Sequence, residues 1–197
     1  MKASVSRRPA PGSPILLASA SPRRAHLLRQ MGVSFRLARV PIKEVAPAHL
    51  SPAEIAMINA HRKAHAAARR HPNQWVLGAD TVVSLGRLIM GKPADRKAAQ
   101  RMLTKLQGKT HQVITGICLI HWRRQRERLF AVHTAVTFRR LTPARIEEYL
   151  SKINPLDKAG GYAIQEEGSR LVTSLRGSFS NVVGLPIERL RKELREL

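Results

Sequence analysis

The sequence predicts an α/β fold laid out as one continuous unit that can divide into two lobes. Short apolar runs of strand character alternate with capped, amphipathic helical segments. The apolar segments His111 to Trp122 and Leu129 to Phe138 read as a long antiparallel hairpin, the second alternating at Val132, Thr134, Val136 and Phe138. No internal repeat or low-complexity linker interrupts the 197 residues, a length that can bury a substantial core.

Taken in order, the first element is a strand from Leu16 running directly into a helix. Ser21 stands at its N-cap position, Pro22 at the first helical position that needs no N–H, and Gly32 stops it after Met31. Phe35 to Ile42 reads as a second strand. Ser51-Pro52-Ala53-Glu54 is a capping box that opens a helix reaching His71, where Pro72 ends it. Trp75 to Val83 is an apolar strand interrupted by Asp80, and Leu88 to Met90 returns as a hairpin arm ending in Gly91-Lys92-Pro93. A helix follows from Asp95 to Leu106, with Ala98, Ala99, Met102, Leu103 and Leu106 on one face, stopped by Gly108. After the long hairpin, whose polar connection is Arg123 to Arg128, Thr142-Pro143 opens a helix to Leu150. Asn154 to Ile164 is irregular, Leu171 to Leu175 and Asn181 to Val183 suggest closing strands, and Pro186 starts a terminal helix.

The chemistry-bearing residues are dispersed. The first strand-to-helix turn aims orphan amides and the positive helix end at whatever lies beyond the strand, and Arg23 and Arg24 add two cations there. Two like charges at a helix N-terminus call for a compensating anion, and phosphate suits a guanidinium; a solvated basic turn in a very basic protein is the alternative. Lys63 interrupts the small-residue stripe Ala56, Ala60, Ala67, either snorkelling to water or entering a cleft. Asp80 lies within an apolar run, where an ionised carboxylate is rarely placed for packing. If Arg23, Arg24, Lys63 and Lys92 meet Glu44 and Asp80, the cations can neutralise a polyphosphate while the carboxylates hold Mg²⁺ and orient a water. His61 and His65 have a spacing that zinc sites use, but no acid lies between them and Arg62 and Lys63 would repel a metal.

Composition narrows the class. The formal charge of +22 fits nucleic-acid binding, an anionic small-molecule substrate or a bias toward arginine. Basic residues are spread over nearly every segment, and two Trp, two Tyr and four Phe make few platforms for stacking bases, so specific nucleic-acid binding is not expected. No run approaches the roughly 18 apolar residues of a membrane span. A single Cys118, in an apolar run, excludes an intrachain disulfide and makes reducing cytoplasm the expected compartment. Residues 1–14 are expected to be a disordered tail ahead of a single domain at 15–197, with an organelle transit peptide as the alternative.

Ser19-x-Ser21-Pro22-Arg23-Arg24-x-x-Leu27-Leu28, Lys63-Ala64, Gly78-Ala79-Asp80-Thr81-Val82-Val83, Gly91-Lys92-Pro93 and Gly108-x-x-His111-x-Val113-x-Thr115-Gly116 occur in that order. Asp157-Lys158-Ala159-Gly160-Gly161-Tyr162-x-Ile164-Gln165 and Val183-Gly184-Leu185-Pro186 follow. The ordered set resembles the Maf family of nucleoside triphosphate pyrophosphatases. That resemblance implies an elongated mixed sheet with flanking helices, Maf/ITPase-like and bilobed around a deep cleft, in a possible homodimer. It implies metal-assisted hydrolysis of nucleoside triphosphates to monophosphate and pyrophosphate, with Mg²⁺ or Mn²⁺ as cofactor. By matched position Asp80 is the general base and a metal-associated carboxylate, Glu44 a second acidic group and metal ligand, and Lys63 a further catalytic residue. Ser19, Ser21, Arg23, Arg24, Thr81, Lys92 and Gln165 fall in the substrate-binding set. Arg23, Thr81 and Gln165 resemble the branch acting on dTTP and UTP; the competing readings are a 7-methyl-GTP pyrophosphatase and a nucleic-acid-binding or regulatory protein on the same fold. Lys43, where an acid is common in the family, is expected to lower the pKa of Glu44 or to replace part of a metal's charge, and Asn59-Ala60 stands where Leu-Ala is usual.

Overall fold

The computed structural model describes residues 14–197, so the expected tail and the transit-peptide alternative lie outside the described residues apart from Pro14. The fold is mixed α/β: a seven-stranded sheet flanked by helices. β1 (Ile15–Ala18) leads into α1 (Pro22–Gln30), and β2 (Phe35–Leu37) lies parallel to β1. The strand expected to reach Ile42 stops at Leu37. Ala38 still donates to the Leu17 carbonyl at 3.0 Å, but the chain then leaves the sheet toward Pro41, which has no N–H for a ladder.

α2 (Pro52–Ala68) begins with its capping box made: Ser51 Oγ accepts from the Glu54 amide at 3.3 Å and the Glu54 carboxylate accepts from the Ser51 amide at 2.7 Å. β3 (Trp75–Leu85) and β4 (Leu88–Met90) form the short hairpin, and α3 (Arg96–Leu106) is capped by Asp95. β5 (Thr110–His121) and β6 (Arg126–Phe138) are the long hairpin, followed by α4 (Pro143–Lys152) and β7 (Val172–Arg176). Asn181–Val183, expected as a strand, instead belongs to the helix α5 (Phe179–Val183), ahead of α6 (Ile187–Arg195). The reason is local: Ser178 Oγ caps the Asn181 amide, and the buried Asn181 side chain donates to the Val113 carbonyl and Thr134 Oγ1, docking the turn on the sheet instead of joining it.

The strand order is β2-β1-β3-β5-β6-β7, with β4 also paired to β3. β1 is parallel to β2 and β3, and the remaining pairs are antiparallel. Alternation sorts the central strands by face. Leu17, Leu77, Ile117 and Leu119 pack with α1 and α6, whereas Leu16, Ala18, Val76, Cys118 and Ile120 pack with the alanine stripe of α2. A third core, with Leu103, Phe138, Tyr149 and Tyr162, gathers α3 and α4 farther along the sheet.

Two glycines set how closely α2 approaches. A Cβ at Gly78 would meet the Ala60 carbonyl oxygen, and one at Gly116 would meet the backbone of Ala56. With side chains absent at both points, the helix backbone rests directly on β3 and β5, and its residues reach Asp80, which lies opposite Gly116. On the other side His111 Nε2 bonds the Tyr162 hydroxyl at 2.8 Å, anchoring the irregular segment that carries Gln165.

Gly116→Ala should therefore lower stability by about 1–3 kcal/mol, measured by urea unfolding, because the added methyl displaces main chain. His111 supplies a pH-dependent term. Burial pushes its imidazole down to about 4, whereas in the unfolded chain it titrates near 6.5. Above pH 6.5 neither state is protonated and the buried ring imposes no proton cost. As pH falls from about 6.5 to about 4 the unfolded state binds the proton first, and about 3 kcal/mol of stability is lost. Urea unfolding of wild type and His111→Gln across this window should show the steeper acid loss in wild type.

Candidate active site

The site forms where the sheet has a gap in one edge. β1 pairs with β3 only as far as Ala18 opposite Gly78, and β4 begins only at Val83 opposite Met90. Between them, residues 79–82 of β3 have β5 on one side and, among the described residues, no strand on the other. A cavity of about 630 Å³ opens at this gap, just beyond the carboxyl end of β1, where open α/β sheets commonly bind ligands. Because the edge is open, side chains from both faces of β3 reach it: Asp80 from the α2 face and Thr81 from the α1 face.

All ten residues expected to act on substrate or metal line this cavity: Ser19, Ser21, Arg23, Arg24, Glu44, Lys63, Asp80, Thr81, Lys92 and Gln165. At its centre Lys63 Nζ lies 2.6 Å from Asp80 Oδ1 and 2.7 Å from Glu44 Oε1. The Asp80 side chain is only 7% exposed, Lys63 13%, and Glu44 47%, so the group runs from interior to rim. Lys92 and Gln165 are exposed on the rim.

Burial raises the pKa of Asp80, against the opposing charges of Lys63 and Arg24. Glu44 ends lower than usual: burial would raise it, but the Lys63 hydrogen bond and the charges of Lys63 and Lys92 outweigh that effect. Two carboxylates on one ammonium are thus driven apart in acidity, the pattern that separates a proton acceptor from a fixed anion. Lys43 is exposed and does not line the cavity, whereas Ile42, Glu44 and Val45 do; Lys63 and Lys92, not Lys43, lower Glu44.

The two arginines at the start of α1 both have partners within the protein, a carboxylate for Arg23 and neutral oxygens for Arg24. Arg23 Nη1 bonds Asp157 Oδ2 at 2.7 Å and Nη2 bonds the Asp157 carbonyl at 3.1 Å. Arg24 is buried, donating to the Gly184 carbonyl at 2.8 Å, Ser19 Oγ at 3.0 Å and Thr81 Oγ1 at 3.0 Å. Ser21 makes no side-chain cap; Ser19 Oγ accepts from the Ser21 amide at 3.2 Å instead. Arg24 thereby fixes Ser19 and Thr81 while carrying a permanent charge beside the cavity. Lys158, also buried, bonds Asp157 Oδ1 at 2.8 Å and lies 3.3 Å from Glu166 Oε2, so a chain of charges links α1 to the Gln165 segment.

The donor set suits a hard divalent cation. Glu44 and Asp80 already gather one cation between them, and both present oxygen, the ligand type Mg²⁺ and Mn²⁺ take, with phosphate and water able to complete the shell. Among the described residues no group of three or more His, Cys, Asp or Glu is placed to hold a metal, so a cation here would rest on those two carboxylates, with water or substrate oxygens filling the rest of its shell. Outside this group the His61 and His65 rings lie 5.4 Å apart, His65 meets Trp122 edge to face, and Glu127 lies 3.6 Å from His61.

Sequence reasoning gave no site role to Arg39 on the rim, to Asp157, quoted there only within a motif, or to Asn59, noted only as a departure from the family pattern. Only Asn59 left a usable signal, an amide one turn before Lys63 on an otherwise small-residue helix face.

A family model described as Maf-like protein matches residues 14–197. Over 175 residues, 88% of this chain and 87% of the relative, the sequence is 47% identical to a Myxococcus xanthus (strain DK1622) protein named dTTP/UTP pyrophosphatase. A protein of the same name from Bacillus mycoides (strain KBAB4) is 44% identical over 182 residues, 92% of this chain and 94% of the relative. Among solved structures, the Staphylococcus aureus Ham1 protein superposes with a TM-score of 0.54 at 16% identity, covering 93% of this chain and 99% of that one, which shows a shared fold.

Proposed function

Since the chain belongs to the Maf family, we propose that it hydrolyses dTTP and UTP, including modified pyrimidine nucleotides, to the monophosphate and pyrophosphate. The observation that carries this reading is the convergence of Asp80 and Glu44 on Lys63 in a cavity rimmed by cations, in a chain whose relatives bear that name. Glu44 and Asp80 would hold the divalent cation, Mg²⁺ or Mn²⁺, which when bound supplies Lewis-acid stabilisation of phosphoryl charge.

The protein's own groups divide the remaining work. The turn after β1, with Ser19, Ser21 and the amides opening α1, receives the triphosphate, and Arg23, Arg24 and Lys92 surround it with positive charge. Asp80, whose burial makes it a stronger base than an ordinary aspartate, takes a proton from the attacking water. The water oxygen bonds to the α-phosphorus as the bridge to the β-phosphate breaks, and pyrophosphate leaves with the bridging oxygen. Lys63 keeps the two carboxylates together and faces the charge growing on the phosphoryl oxygens, while Lys92 faces the leaving group. Thr81 and Gln165 border the base: an amide can pair with the donor–acceptor edge of uracil or thymine, whereas a carboxylate would suit the cationic ring of 7-methylguanine.

The activity is assigned to the reducing cytoplasm, in keeping with a single buried thiol, as a clearance step for the nucleotide precursor pool by a homodimer of the family's kind. Among the described residues no helix is long and apolar enough to cross a membrane.

With Mg²⁺, UTP and dTTP should yield the monophosphate and pyrophosphate, and 7-methyl-GTP should turn over more slowly in a parallel assay. Release of UDP and orthophosphate would contradict the assigned bond. Asp80→Asn should cut kcat by about 10²- to 10⁴-fold with little change in nucleotide affinity; near wild-type turnover would remove its role as base.

A further inference from the structure

Glu44 sits on a segment with little support of its own. Between β2, which ends at Leu37, and α2, which begins at Pro52, residues 39–46 make no main-chain to main-chain hydrogen bond among the described residues. Besides the Lys63 contact to the Glu44 carboxylate and the packing of Val40, one side chain ties its main chain. Asn59, 2% exposed on α2, accepts from the Val45 amide through Oδ1 at 2.9 Å and donates to the Val45 carbonyl through Nδ2, also at 2.9 Å. The same Nδ2 lies 3.4 Å from Asp80 Oδ2.

These partners fix the amide's orientation. With Oδ1 and Nδ2 exchanged, an acceptor would face both the Val45 carbonyl and the Asp80 carboxylate. Asn59 also stands four residues before Lys63, so the two project from one face of α2 toward the same pair of acids. Lys63 contacts the carboxylates themselves; Asn59 ties the backbone next to one and lies beside the second oxygen, Oδ2, of the other.

We propose that Asn59 is a positioning residue that sets the spacing of Glu44 and Asp80, and through it the affinity of the site for its divalent cation. The inference rests on the two-carboxylate reading of the site given above. It does not make Asn59 a ligand: its oxygen is engaged by Val45. Outer contacts of this kind, which orient the atoms that bind a metal, typically contribute 10- to 100-fold to affinity.

The test measures Mn²⁺ binding to the full-length protein without nucleotide, from the free-ion signal in electron paramagnetic resonance, alongside UTP turnover and thermal unfolding. Asn59→Leu keeps the branched shape, with a larger side chain, and removes the amide, and Asn59→Ser serves if the leucine variant fails to fold. Both should bind Mn²⁺ about tenfold or more weakly than wild type. At a fixed subsaturating Mn²⁺ concentration their kcat should fall, with the UTP KM changing by less. Wild-type Mn²⁺ affinity in a folded variant, whether or not its melting temperature drops, would overturn the role of Asn59 while leaving the two-carboxylate site intact. Absence of Mn²⁺ binding by wild type itself would overturn the site reading and the inference together.

Discussion

Placing two carboxylates around one ammonium in a largely buried position requires a close and rigid framework, because each ion gives up hydration that only good geometry restores. Here the framework is the contact of α2 with the sheet. Gly78 and Gly116 present no side chain where Ala60 and Ala56 arrive, and the alanine stripe lets the helix backbone rest on β3 and β5. From that position Lys63 reaches Asp80 in the sheet and Glu44 in the loop at once. A helix held off by ordinary side chains would leave Asp80 without its partner and Glu44 in solvent.

The second constraint is the open edge of β3. β1 is short enough to end before Asp80, and β4 starts late enough to leave residues 79–82 bordering the cavity. On the α1 side the buried Arg24 joins Ser19, Thr81 and the Gly184 carbonyl, so three distant segments are fixed around one guanidinium. The rim is joined more loosely: Arg23 and Asp157 pair with partial exposure, where an ion pair contributes little.

Much of this was legible from residues. The start of α1 at Ser21-Pro22, the capping box of α2, the long hairpin and the isolated Asp80 were each readable because local chemistry and periodicity agree there, although Ser21 makes no side-chain cap. Two misreadings came from tertiary context. Phe35–Ile42 has strand composition, yet only three residues find a neighbour before Pro41; Asn181–Val183 looks like a strand, yet a serine cap and a buried asparagine turn it into a helix. Asp157 as the partner of Arg23 and the Gly184 carbonyl as a partner of Arg24 were invisible because they lie 134 and 160 positions away. Asn59 could be flagged as unusual, but its purpose depended on a loop whose path only the fold reveals.

The central claim is that Glu44 and Asp80 jointly receive a divalent cation at the β3 gap while a triphosphate lies across the turn after β1. It is tested most directly by a crystal structure with Mn²⁺ and a UTP analogue whose α–β bridge cannot be hydrolysed, using anomalous scattering to locate the metal. The account predicts a manganese peak within coordination distance of both carboxylates and of a phosphate oxygen, with the uracil toward Gln165. A metal bound away from Asp80, or a nucleotide seated outside this cavity, would contradict it.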